Sequence, residues 1–204
     1  MIFDLLAALA LGYFIGSFPS ARVIARLWKK DIFEVGSGNM GAMNTARNVG
    51  WAAGVLVLVL DIAKGALAAG AAPVLADMAG LPDEARVHMA LAAGVGAVLG
   101  HAWSAYAGLR GGKALATTLG VSLPVYPLVG VYWALLLVAL ALITRRGALS
   151  AVIATVLYPV VALLALQRAQ VEQELAFAVV TAVILISVIV LIKHLPRRGG
   201  AQAG

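Results

Sequence analysis

Seven apolar stretches follow one another along the chain, at about 2–28, 51–75, 86–106, 114–123, 125–143, 149–167 and 173–193. Six are long enough to cross a bilayer, which takes about 20 residues of helix. The fourth is too short alone, ends at Pro124 and has Pro127 close behind. It predicts a half-length or re-entrant helix, which membranes tolerate where protein or a cavity surrounds the broken backbone. Composition agrees: 63% of the 204 residues are hydrophobic and 12% charged, about half the charged share of a soluble domain. Such a surface faces lipid. The expected fold is an all-α membrane protein, a polytopic bundle of about seven transmembrane helices.

The charges set an orientation. With seven crossings and the N-terminus outside, the inner side holds Arg22, Arg26, Lys29, Lys30, Arg47, Arg110, Lys113, Arg145, Arg146, Lys193, Arg197 and Arg198. The outer side holds only Arg86 and Arg168. Basic residues gather on the cytoplasmic side during insertion, so the C-terminus is expected to be cytoplasmic. The same rule accounts for the net charge of +6, and nucleic acid is not an expected partner. Residues 1–195 read as a single transmembrane domain and 196–204 as a flexible cytoplasmic tail. The first stretch lacks a basic start and a clear cleavage site, so it reads as a retained helix. The chain has no cysteine and three scattered histidines, which excludes disulfides and predicts no metal or other cofactor.

Glycine, asparagine and serine beside the inner basic residues are not explained by insertion. "GSGNMG" fits G-x-G-x-x-G at Gly36, Gly38 and Gly41, with Asp61 twenty residues on. That spacing marks a dinucleotide-binding βαβ unit only when a strand precedes it and a helix follows within a parallel sheet. Here both flanks are membrane helices and Asp61 is inside one, so the match is a coincidence. A glycine-rich loop with Ser37, Asn39, Asn44 and Arg47 remains. Successive glycine N–H groups form a nest for an anion, asparagine suits hydroxyls, and Arg47 offers a planar fork for phosphate. "GLRGGKALATT" is a second such loop, in which Gly111, Gly112, Lys113 and Thr117 lead into an apolar helix start, a favourable place for phosphate. It is not a Walker loop, because Ala107 and Ala114 stand where that motif needs Gly and Ser or Thr.

Four further features are candidates. Asp61 and Lys64 are three residues apart within the second span, which fits either an ion pair or an extra cation for the site. His101 lies near the inner end of the third span as a phosphate or hydroxyl contact or a general base. His194 ends the last span. "RRGALS" places Arg145 and Ser150 near a helix start. Together these elements point to small phosphorylated substrates at the inner face, with or without a lipid tail.

In order, "GSFPSARVIARL", "DIFEVGSGNMGAMNTARNVG", "LDIAKGAL", "GAVLGHAWSAYAGLRGGKALATTLG" and "RRGALSAV" resemble the bacterial acyl-phosphate:glycerol-3-phosphate acyltransferases. The resemblance implies a seven-span cell-membrane enzyme with a cytoplasmic active site. It implies transfer of a fatty acyl group from acyl phosphate to the 1-hydroxyl of glycerol 3-phosphate, giving lysophosphatidic acid and phosphate. It maps the family's essential serine and arginine onto Ser37 and Arg47, its glycerol-phosphate loop onto Gly111, Gly112 and Lys113, and its late histidine onto His194. This chain departs at Met43, at Trp103 and Ser104, at Ala114 where a glycine is usual, and after His194, where the usual Asn and Gly-Thr-Glu are missing.

The expected catalytic residues are thus Ser37, Arg47, His101 and Lys113. Gly36, Gly38, Asn39, Asn44, Lys64, Gly111, Gly112, Thr117, Arg145, Ser150 and His194 are expected to hold substrate. The expected partners are glycerol 3-phosphate, acyl phosphate and the bilayer; oligomeric state is open, a monomer being one option. Either the leaving phosphate or His101 takes the hydroxyl proton. Two alternatives stand beside this reading: a transporter or channel for a phosphorylated solute, and a family member with a changed acceptor.

Overall fold

The computed structural model describes residues 1–195. The tail assigned to 196–204, with Arg197 and Arg198, lies outside the described residues. Among those described, the structure is all-helical: α1 (Ile2–Gly16), α2 (Ser20–Leu27), α3 (Ala42–Asn48), α4 (Trp51–Met78), α5 (Asp83–Ala102), α6 (Leu115–Val125), α7 (Pro127–Thr144), α8 (Gly147–Arg168) and α9 (Gln173–His194). Six stretches are long and apolar enough to cross a membrane, and α6 is a shorter apolar helix between them.

Two elements differ from the sequence expectation. The first apolar stretch is not one helix. Pro19 has no N–H to give and disfavours helical backbone in the residue before it, so the chain breaks at 17–19 and restarts as α2. The break frees the Phe18 carbonyl, and Lys64 Nζ donates to it at 2.9 Å. The second surprise is α3, two turns of helix inside what read as a plain loop.

Small residues face inward and large ones outward. Ala53, Ala68, Ala69, Ala72 and Ala76 of α4 are fully buried, whereas Phe3, Leu142 and Phe177 are 74–81% exposed. That is membrane-protein packing, where close backbone approach holds helices together because lipid is as apolar as leucine. α1 and α5 show it best. Gly12 and Gly16 face Ala93 and Ala97, and Gly96 and Gly100 face the backbone of α1. A Cβ on Gly12 would come within 2.7 Å of Ala93 Cα. The order of these contacts makes α1 and α5 parallel.

α6 runs alongside α4, with Gly65 against its backbone and Pro124 against Gly70. It ends at Tyr126, and Pro127 opens α7 at a position where a missing N–H does no harm. Trp133 Nε1 donates to the Ala154 carbonyl (3.0 Å) and ties α7 to α8. The Ser122 and Tyr158 hydroxyls pair at 2.7 Å and tie α6 to α8. α1, α5, α7 and α9 therefore run one way, and α4, α6 and α8 the other. The loops at 28–41 and 103–114, the turn at 145–146 and the end of α9 share one face.

Candidate active site

The loop at 28–41 (loop A) is built around Asn44 of α3. Asn44 Oδ1 accepts from Ser37 N (3.1 Å) and Asn48 Nδ2 (2.9 Å). Its Nδ2 donates to the carbonyls of Val35 and Asn39, both at 3.1 Å. Asn44 is buried and its polar atoms are occupied, so it shapes the loop and is not an open substrate contact. Gly36 and Gly38 have φ of +56° and +62°, a conformation glycine adopts without strain. A side chain on Gly36 would also strike Asn44 and Asn48. Asn39 is half-buried. Ser37 and Arg47 are exposed, and neither side chain bonds to another described residue.

The loop at 103–114 (loop B) folds back over the end of α5. Tyr13 Oη donates to the Trp103 carbonyl (2.9 Å), Ser104 Oγ donates to the Ser17 carbonyl, and Gly112 N donates to the His101 carbonyl (3.1 Å). Lys113 is half-buried, and the loss of hydration draws its ammonium below the usual lysine pKa. α6 begins two residues later. Thr118 N bonds back to the Ala114 carbonyl, leaving the N–H groups of the first turn as donors without helical partners. Thr117 is fully buried and its hydroxyl has no partner among the described residues.

Ala114, which precedes α6, has φ of +60°. A Cβ in this left-handed conformation costs about 1–2 kcal/mol. Ala114→Gly is expected to raise stability by up to about 1 kcal/mol, read as a higher Tm in detergent. An unchanged or lower Tm would remove strain from the account of this position.

The two loops meet. A Cβ on Gly112 would land on His101 Nε2 and within 2.6 Å of the Met40 carbonyl of loop A. Nearby, the Arg110 guanidinium lies 3.6 Å from the centroid of the Phe33 ring, and Arg22 Nη1 donates to the Tyr106 carbonyl at 3.2 Å. α9 closes the side of loop B, with Lys193 Nζ 5.1 Å from the Trp103 ring. His194 shares a hydrogen bond of 2.8 Å with the Val190 carbonyl through Nδ1, and its Nε2 is buried without a partner among the described residues.

Besides Asn44, several expected contacts are placed differently. Lys64 is 7% exposed, and its ammonium is held by Asp61 Oδ1 at 2.9 Å and by the Phe18 carbonyl. It forms an internal ion pair and does not reach out as a cation. Ser150 is buried, with Oγ donating to the Arg146 carbonyl (3.0 Å) and meeting Thr144 Oγ1 (2.7 Å). It caps the α7–α8 turn. Arg145 and Arg146 are exposed on that turn, and no hydrogen bond or ion pair among the described residues links them to either loop. His101 is 4% exposed, with Nδ1 3.5 Å from Asp61 Oδ1. The sequence reading missed Met40, Phe33 and Arg110 as the pieces joining the loops; hydrophobic and basic residues in a basic loop carry no special signal.

The arrangement places the two glycine-rich loops side by side, with Ser37 on loop A, Lys113 on loop B and Arg47 on α3, the helix that follows loop A. No group of three His, Cys, Asp or Glu positioned to bind a metal occurs among the described residues. The family model described as glycerol-3-phosphate acyltransferase matches residues 6–198. A glycerol-3-phosphate acyltransferase of Synechococcus sp. is 40% identical over 165 residues, 80% of this chain and 78% of the relative. One from Shouchella clausii is 35% identical over 205 residues, covering 100% of this chain and 95% of the relative. Among solved structures, the crystal structure of PlsY, an integral membrane glycerol 3-phosphate acyltransferase, in its glycerol 3-phosphate form superposes with a TM-score of 0.75 at 32% identity, over 93% of this chain and 88% of that one. Its lysophosphatidic acid form gives 0.74 at 30%, over 93% and 87%.

Proposed function

We infer the reaction from one premise: this chain belongs to the glycerol-3-phosphate acyltransferase family. It is an integral membrane enzyme that acylates glycerol 3-phosphate. The donor is an acyl phosphate, the products are lysophosphatidic acid and phosphate, and the site faces the cytoplasm at the inner membrane. The observation that carries this reading is the junction of loops A and B at Met40 and Gly112. It sets two anion-holding elements next to each other, as a reaction between two phosphates requires. A solved relative is known in a glycerol 3-phosphate form and a lysophosphatidic acid form, which suits the acceptor and the product.

Acyl phosphate is already activated, so no acyl-enzyme is needed. The 1-hydroxyl oxygen attacks the acyl carbon, the bond from that carbon to the phosphate oxygen breaks, and the leaving phosphate takes the hydroxyl proton. Holding the two reactants in line is worth roughly 7–11 kcal/mol. Arg47, Ser37 and Lys113 hold the phosphates and stabilise the charge that develops. His101 is buried behind Gly112 and is given no proton to carry in this scheme. The inner position of the site follows from the basic residues on its face, which place the N-terminus outside. The test is lysophosphatidic acid formation by pure protein in nanodiscs. Palmitoyl phosphate with glycerol 3-phosphate is expected to give product, and palmitoyl-CoA none. Product from the CoA ester alone would overturn the donor assignment.

A further inference from the structure

Asp61 takes no part in the chemistry above, yet a chain of contacts runs from it to both loops. Asp61, Lys64 and His101 are 2%, 7% and 4% exposed. Asp61 Oδ1 holds the Lys64 ammonium at 2.9 Å and faces His101 Nδ1 at 3.5 Å. Lys64 also holds the Phe18 carbonyl at the break between α1 and α2. On the neighbouring edge of the imidazole, Nε2 and Cε1 pack against Gly112, and Gly112 packs against the Met40 carbonyl. Five separate parts of the chain, from the α1–α2 break through α4, α5 and loop B to loop A, are thus in series.

Buried ion pairs are weak stabilisers, because desolvation offsets their attraction, and a role in fixing geometry is the better account where one is visible. Here it is visible. The last torsion of a histidine is soft, so the imidazole needs a partner to hold its plane. Asp61 Oδ1 supplies a polar contact 3.5 Å from Nδ1, longer than a hydrogen bond, beside the Nε2–Cε1 edge that meets Gly112. Without Asp61 the ring is free to turn into the space Gly112 occupies, and Lys64 loses its counter-charge.

We propose that Asp61 is a positioning residue for acyl transfer: through Lys64 it anchors the α1–α2 break, and through His101 it sets how far loop B stands from loop A. The proposal rests on the acyltransferase reading and gives His101 no proton to carry.

The test uses Asp61→Asn, the double variant Asp61→Asn/Lys64→Met, His101→Ala and His101→Gln. Each is assayed with palmitoyl phosphate and glycerol 3-phosphate, and each is titrated with glycerol 3-phosphate by calorimetry. Misplacement by about 1 Å costs on the order of 100-fold, so Asp61→Asn and His101→Ala are expected to raise KM for glycerol 3-phosphate by about 10- to 100-fold. Calorimetric affinity falls by the same factor, and the pH profile of kcat keeps its shape. The double variant removes the stranded ammonium and is expected to restore folding but not KM. His101→Gln, which keeps a planar polar side chain, recovers part of it. His101→Ala leaves the ion pair alone and keeps the test open if the Asp61 variants do not fold. Wild-type KM and affinity in the folded variants would overturn the proposal. So would a fall in kcat at unchanged KM with loss of the acid limb in both His101 variants, because a general base behaves that way. If the wild type binds glycerol 3-phosphate but does not turn over palmitoyl phosphate, the donor reading fails and calorimetry still decides the role of Asp61.

Discussion

Arg47→Ala is expected to abolish turnover while leaving the fold intact. Arg47 is exposed on α3 with no bond to another described residue, so its loss should change stability by no more than about 0.5 kcal/mol. Function is another matter. A hydrogen bond to a charged group is worth about 1.5–3 kcal/mol, and a donor aimed at developing charge is worth about 100- to 1000-fold in kcat. A bidentate arginine supplies both, so kcat/KM is expected to fall by about 1000-fold or more with Tm unchanged. Arg47→Lys keeps the charge but not the fork and should recover only part of the rate. Steady-state kinetics beside a thermal melt decides it: near-normal rates in Arg47→Ala would remove this residue from the site.

Gly112→Ala is expected to have the next largest effect, for the opposite reason. Its target is buried and fully surrounded. The new methyl would occupy the place of His101 Nε2 and lie within 2.6 Å of the Met40 carbonyl. His101 is backed by Asp61 and Met40 is 4% exposed, so neither yields easily, and loop B must move. Overpacking of this kind costs about 1–3 kcal/mol. The displaced Lys113 should lower kcat/KM by about 100-fold. Gly108→Ala is the control within the same loop. Gly108 has φ of +59° but open space around it, so the substitution brings backbone strain of about 1–2 kcal/mol without pushing loop B. Equal losses of activity in the two variants would show that the Gly112 contact is not what fixes the loop.

The spans were legible because a bilayer demands long apolar helices and the chain supplies little else. The break in the first one was less so. Pro19 was in plain view, but a proline inside an apolar run either kinks a helix or ends it, and the buried Lys64 that satisfies the freed carbonyl is 46 positions away. The glycine-rich loops were legible because glycines beside cations are not an insertion signal. What each polar residue does inside them was not. Asn44 and Ser37 look alike in sequence as polar loop residues. Only the folded backbone decides that Asn44 meets the carbonyls of Val35 and Asn39 while Ser37 stays exposed. Ser150 was misplaced for the same reason, since its partners are the Arg146 carbonyl and Thr144, whereas the Asp61–Lys64 pair was one of the two readings their spacing allowed. Asp61 and His101 are forty residues apart, and no pattern within one helix pairs them.

The half-length of α6 reaches beyond its own packing. α6 starts near the level of Asp61, about 15 Å along α4 from Trp51. Below that level its place beside α4 is taken by loop B, which packs on His101 of α5 and lies against Lys193 of α9. Where one short helix begins therefore fixes how deep within the bundle the unpaired N–H groups of its first turn lie.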